Sequence, residues 1–127
     1  MNGVHLVGRI ASEIRSREVA TRLGLRPVAA FLMAVPRPLR DATEPEWLRV
    51  ETWGNQADNL VPYCGKGSRI AVSGHLRGQF VRLEGFEREQ LRLAVVAETI
   101  IYLGARPESS REIVTFPEPP VEAGDDE

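Results

Sequence analysis

Residues 47 to 53 read Trp47-Leu48-Arg49-Val50-Glu51-Thr52-Trp53, and both tryptophans of the chain fall within this one stretch. Side chains along a β-strand alternate between two faces. As a strand, the segment points Leu48, Val50 and Thr52 together into a core. Trp47, Arg49, Glu51 and Trp53 then point together out of it. Two indoles flanking a guanidinium are costly on a bare polar surface. They suit a platform on which unstacked nucleobases lie, with a cation for the phosphate between them. The competing reading buries both rings, because tryptophan is mostly buried on average. That reading needs a bulge that shifts the register of this strand by one.

The rest of the chain reads as further short strands. Val4, Leu6 and Ile10 share one face of a first strand. Residues 13 to 26 carry Arg15, Arg17, Arg22 and Arg26 and a Leu23-Gly24 turn, which reads as a curled continuation and a hairpin. The apolar run Val28 to Val35 is closed by Pro36 and Pro38, so its shortness and flanking prolines favour a buried strand over a helix. A polar loop at 36–46 leads into the tryptophan strand, which Gly54 ends. Asn55 to Tyr63 is the helix candidate, with Asn55 as a possible N-cap and Pro62 making it short or distorted. Arg69 to Arg77 alternates again, with Ile70, Val72 and Leu76 inside. Gly78 to Arg88 reads as a loop or loose hairpin. Leu91 to Leu103 is a last strand, apolar at Leu91, Leu93, Val95, Ile101 and Leu103. Five strands with one short helix between the third and fourth predict an all-β fold, a five-stranded OB-type barrel.

At 127 residues the chain suits one small domain with a tail. Residues 1–105 hold 14 Arg and Lys against 11 Asp and Glu, a net of +3, whereas residues 106–127 hold 2 against 7, a net of -5. The expected organisation is a mildly basic domain over 1–105 and an acidic, proline-containing disordered tail over 106–127. Such a tail either competes for a basic groove and recruits partners or serves only for solubility. No run of about 18 apolar residues suggests a membrane span. The segment Met1 to Leu6 enters a strand pattern at once, without the basic start and apolar run of a secretory leader. A single cysteine, Cys64, leaves no intramolecular disulfide and fits a reducing cytoplasm.

Little in the chain supports catalysis. His5, His75 and Cys64 are not paired at metal-site spacing, so neither metal nor cofactor is expected. There is no Ser/His/Asp order and no glycine-rich phosphate loop. Asp58 stands alone on the helix candidate rather than in an acid pair. A binding protein, not an enzyme, is the expectation.

Four segments in register resemble bacterial single-stranded DNA-binding proteins. They are Met1 to Ile10; Trp47 to Gly54; Ala57, Tyr63 and Lys66-Gly67-Ser68; and Ile70 to Arg77. The resemblance runs from about Met1 to Leu103. It implies an OB fold, assembled as a homotetramer, that wraps single-stranded DNA without sequence preference in replication, recombination and repair. Trp47 and Trp53 occupy two of the family's base-stacking positions, and Arg49 and Lys66 match basic positions near the bound strand. Two further aromatic positions hold Leu39 and Val81, the latter beside Phe80. Glu51 replaces an apolar residue of the binding face, where a carboxylate should repel phosphates, and Asn55 replaces a basic one. The tail ends in Gly124-Asp125-Asp126-Glu127 rather than in the family's apolar tip, with Phe116-Pro117 upstream, which puts recruitment of repair proteins through it in doubt.

The candidate DNA-binding residues are therefore Trp47, Trp53, Arg49, Lys66, Arg77, Arg37 and Phe80. Phe80 either clasps the strand or packs against the barrel end or another subunit. A second reading is a dimeric, primosome-type adapter that binds mainly proteins and only weakly DNA. The expected location is cytoplasmic, with the nucleoid.

Overall fold

The computed structural model describes residues 1–37 and 44–104. Leu39, Arg40 and the acidic tail lie outside the described residues. The elements follow in the order β1 (Val4–Ile10), β2 (Arg15–Thr21), β3 (Gly24–Val35), β4 (Glu46–Trp53), α1 (Asn55–Tyr63), β5 (Arg69–Val81) and β6 (Gln90–Leu103). Neighbouring strands run β1-β5-β6-β4-β3-β2, and β1 also pairs with β3. This last pairing, Arg9 with Ala34 and Ile10 with Met33, closes β1, β5, β6, β4 and β3 into a ring. These are the five strands expected from the sequence. The arginine-rich hairpin supplies a sixth, β2, which lies outside the ring along the first half of β3.

Closure depends on a close approach. A Cβ on Gly8 would collide with the Ala34 carbonyl oxygen, so only glycine lets β1 cross β3 there. Inside the ring, Ala29, Phe31 and Met33 of β3 stand opposite Thr52, Val50 and Leu48 of β4. Of these, Ala29, Phe31, Met33 and Val50 pack with Ile10, Ile70, Val72 and Val95. Each large side chain buried this way contributes about 1.5–3 kcal/mol.

The helix plugs one end of the barrel through Ala57 and Leu60, both in the core cluster. Its N-cap is Gly54 rather than Asn55, and no side chain caps it. The chain leaves β4 with Gly54 at φ 72°, a left-handed conformation that favours glycine over asparagine. The Gly54 carbonyl then accepts from Ala57 at 2.9 Å and Asp58 at 3.1 Å. Pro62 lies inside the last turn, where the helix stops almost at once. The Cys64 backbone N–H closes that turn onto the Leu60 carbonyl at 3.0 Å.

Two local events change faces that alternation alone would have assigned. The β5–β6 ladder shifts register between Ser73 and Gly74, where Gly74 faces Ala97 and Ser73 faces Thr99. The extra residue, Glu98, reverses the parity of β6, because a one-residue slip turns every later side chain over. Ile100 is buried in consequence and Ile101 is 55% exposed. Second, β5 and β6 stay paired beyond the barrel, out to Val81 opposite Gln90. The segment expected as a loop from Gly78 is therefore a strand as far as Val81. Leu76, expected inside, lies on this projecting ribbon and is 43% exposed.

Candidate nucleic-acid interface

The outer face of β3 and β4 is built in cross-strand rows. Arg17, Val28 and Trp53 form one row across β2, β3 and β4, and Arg15, Ala30 and Glu51 form the next. Leu32 with Arg49 and Ala34 with Trp47 continue it. The ladder between β3 and β4 runs from Val28–Trp53 to Val35–Glu46 without a register shift. Parity therefore holds along β4. Val50 and Thr52 are buried, while both indoles lie partly exposed on the opposite face. They are six residues apart, about 20 Å along the strand.

The twist of the sheet makes this face concave. Arg15, Arg17 and Val19 of β2, Val28 and Ala30 of β3, and Arg49, Glu51 and Trp53 of β4 line a groove that continues over Arg77, Gln79, Arg92 and Ala94. Its lining comes from five strands adjacent in the sheet. Small side chains on β3 and β6 keep the floor low. Among the described residues, the walls carry Arg15, Arg17, Arg49, Arg77 and Arg92 and one lining acid, Glu51. A concave, positively charged surface raises the local concentration of an anionic chain.

Glu51 is tied into the groove. Its Oε2 accepts from Arg49 Nε and its Oε1 from Arg77 Nη1, both at 3.4 Å. Arg77 Nη2 in turn donates to Gln79 Oε1 at 2.6 Å. The Arg49 and Glu51 side chains are only 10% and 13% exposed, so this pair is shielded more than a surface ion pair. Glu51 thus orders two arginines as well as adding a negative charge.

The sequence candidates divide. Trp53, Arg49 and Arg77 meet in the groove, and Trp47 shares their face of β4 at its far end. Arg37 is ion-paired with Glu46 at 3.1 Å near the start of β4. Lys66 is exposed in the turn between α1 and β5. Phe80 is 67% exposed, but it projects from the ribbon face opposite Arg77 and Gln79. It stands across from Leu91. Arg15, Arg17, Gln79 and Arg92 line the groove although the sequence did not single them out for it. The i, i+2 spacing of Arg15 and Arg17 is a visible signal of a shared face, but the identity of that face depends on pairing with Ala30 and Val28. Among the described residues, no group of three or more His, Cys, Asp or Glu side chains could hold a metal ion. No described helix is long and apolar enough to cross a membrane.

A five-stranded closed barrel with a helix between its third and fourth strands is an OB fold. The groove over its second and third strands is where that fold takes oligomeric ligands. The chain belongs to the Single-strand binding protein family, whose sequence model matches residues 1–103. It is 37% identical over 82 residues to the single-stranded DNA-binding protein of Thermosynechococcus vestitus, covering 61% of each chain. It is 28% identical over 103 residues to that of Streptococcus pneumoniae, covering 79% of this chain and 61% of the relative. The match to the Onion yellows phytoplasma protein of the same description is 28% over 104 residues, 81% and 94% of the two chains. The chain thus spans about three-fifths of the length of the first two relatives. In fold it is similar to Plasmodium falciparum SSB solved in complex with single-stranded DNA. The TM-score is 0.68 at 23% identity, over 82% of this chain and 96% of that one. The SSB domain of a Synechococcus protein gives a TM-score of 0.59 at 19% identity, over 80% and 96%.

Proposed function

We propose that this protein binds single-stranded DNA without enzymatic activity and largely without regard to sequence, protecting it during replication, recombination and repair. The observation that carries this reading is the arginine-walled groove with Trp53 on its rim. Phosphates meet Arg15, Arg17, Arg49, Arg77 and Arg92, and bases stack on Trp53 and, further along β4, on Trp47. Arg37, Lys66 and Phe80 lie outside the groove and join only if the strand wraps past it. Family membership supports the reading, as do relatives described as single-stranded DNA-binding proteins. The protein acts in the cytoplasm, with the nucleoid, as a homotetramer.

The direct test is titration of tryptophan emission with an oligothymidine at two salt concentrations. Quenching that weakens steeply with salt is the expected result. Unchanged emission at low salt would contradict base stacking.

One observation favours a second reading, a dimeric adapter that mainly binds proteins. Leu76, Phe80, Leu91 and Leu93 are 43–67% exposed and share one face of the β5–β6 ribbon. Solution mass separates the two readings. A tetramer that quenches with DNA supports the first, and a dimer with feeble quenching supports the second.

A further inference from the structure

Among the described residues, Glu51 is the one acid lining an arginine groove, and its geometry gives it a task beyond steadying the cations. Each carboxylate oxygen has two acceptor positions. Oε2 spends one on Arg49 and Oε1 spends one on Arg77. Among the described residues, no other donor reaches either oxygen, which leaves one position on each for a donor arriving from the groove. Arg77 also donates to Gln79, so the carboxylate, one of its cations and Gln79 form a connected chain of contacts along the groove.

Its neighbours say what that donor is. Glu51 lies two residues before Trp53 on the same strand face, about 7 Å along the strand. Its cross-strand partner is Ala30, and both residues line the groove, where the small Ala30 side chain adds little bulk beside the carboxylate. A base stacked on Trp53 extends its edge over this row. Cytosine and adenine offer an exocyclic amino group there, and guanine offers two adjacent N–H donors. Thymine offers one imide N–H between two carbonyl oxygens, which a carboxylate repels. Carboxylates read base edges through such amino donors.

Resting on the single-stranded DNA reading above, we infer that Glu51 is a specificity-determining residue. It biases the nucleotide stacked on Trp53 toward amino-bearing bases and against thymine. The bias concerns one nucleotide per barrel; the rest of the strand is held through phosphates and ring faces.

The test compares oligocytidine with oligothymidine of equal length on the full chain at one salt concentration. The readouts are tryptophan emission and, independently, anisotropy of labelled DNA. Wild type should bind oligocytidine tighter by about fivefold or more, the low end for one base-edge contact. In Glu51→Gln the ratio should fall toward one, because an amide both donates and accepts. A DNA-side control leaves the protein untouched. Oligo-N4,N4-dimethylcytidine has no amino N–H, and wild type should bind it no better than oligothymidine. An unchanged cytidine preference in Glu51→Gln would overturn the inference. So would full affinity for the dimethylated strand, or an equal gain for every oligonucleotide in Glu51→Gln, which would make the carboxylate only a brake on its arginines. Binding of both strands without preference refutes the inference alone, whereas no binding of either refutes the single-stranded DNA reading beneath it.

Discussion

Gln56 donates from its carboxamide nitrogen to Thr52 Oγ1 at 2.9 Å, joining the first turn of α1 to the last buried residue of β4. The same nitrogen reaches the Ala97 carbonyl at 3.2 Å, and Gln56 Oε1 accepts the Ile100 backbone N–H at 3.0 Å. The seam this bridges is short. Strands β4 and β6 are in register only at Val50–Val95 and Glu51–Val96. Just beyond, the bulge at Glu98 takes β6 out of its ladder. One side chain thus supplies polar partners on both sides of the irregularity.

Gln56→Leu should therefore destabilise the fold without touching the groove. It strands the Ile100 N–H and weakens the partners of Thr52, whose side chain is fully buried. The expected cost is about 1–3 kcal/mol. A lower urea midpoint with unchanged DNA affinity at temperatures where the variant is folded checks this.

Trp53→Ala should cost about 1–3 kcal/mol of DNA binding through lost stacking. The slope of log K against log salt should stay as in wild type, because no phosphate contact is removed. Trp53→Phe should recover most of the loss. A change in slope comparable to the change in affinity would show that the indole acts by placing Arg17 or Arg49 instead.

Arg15→Ala is the complementary case. Arg15 is exposed on β2 and lines the groove. Its loss should reduce the salt slope by about 0.7, the value for one phosphate contact on a single strand. Lys66→Ala, outside the groove, should leave the slope unchanged. An equal drop for Lys66→Ala would mean that the strand continues past the α1–β5 turn.

Cys64 is 8% exposed, and its burial pushes the thiol pKa from 9.0 up to about 11. Native protein at pH 8 should alkylate slowly with iodoacetamide and react readily once unfolded. The unfolded chain loses this proton first as pH rises, so it binds fewer protons and stability falls with pH. The contribution is complete below about pH 9 and is lost progressively toward pH 11. Tyr102, also raised by burial, acts in the same direction. Cys64→Ala should therefore lessen, not abolish, the alkaline decline in thermal midpoint.

Strand alternation was most informative where the ladder is regular. Along β4 the parity of Leu48, Val50 and Thr52 against Trp47, Arg49, Glu51 and Trp53 survives intact, because β3 pairs with it without a break. It failed along β6, where the bulge at Glu98 buries Ile100 in place of Ile101. Alternation carries no marker for an extra residue. It failed again at Gly78 to Val81, because the glycine suggested a loop while the pairing of Gln79 with Arg92 and Phe80 with Leu91 makes a strand. Gly54 displaced Asn55 as the helix cap for a backbone reason, the left-handed turn out of β4.

Local chemistry was enough to specify the barrel strands, the helix between the third and fourth of them, and a strand with indoles on one side and core residues on the other. Those properties follow from side-chain period and turn residues, which are written in contiguous sequence. The groove is different. Arg15 and Arg17 join Trp53 only because β2 folds onto β3, and Arg77 reaches Glu51 only because β5 and β6 curl alongside β4. Such contacts join residues dozens of positions apart, and strand pairing, not propensity, decides them. The same pairing places Glu51 between two arginines, so a charge that looked merely repulsive accepts from both.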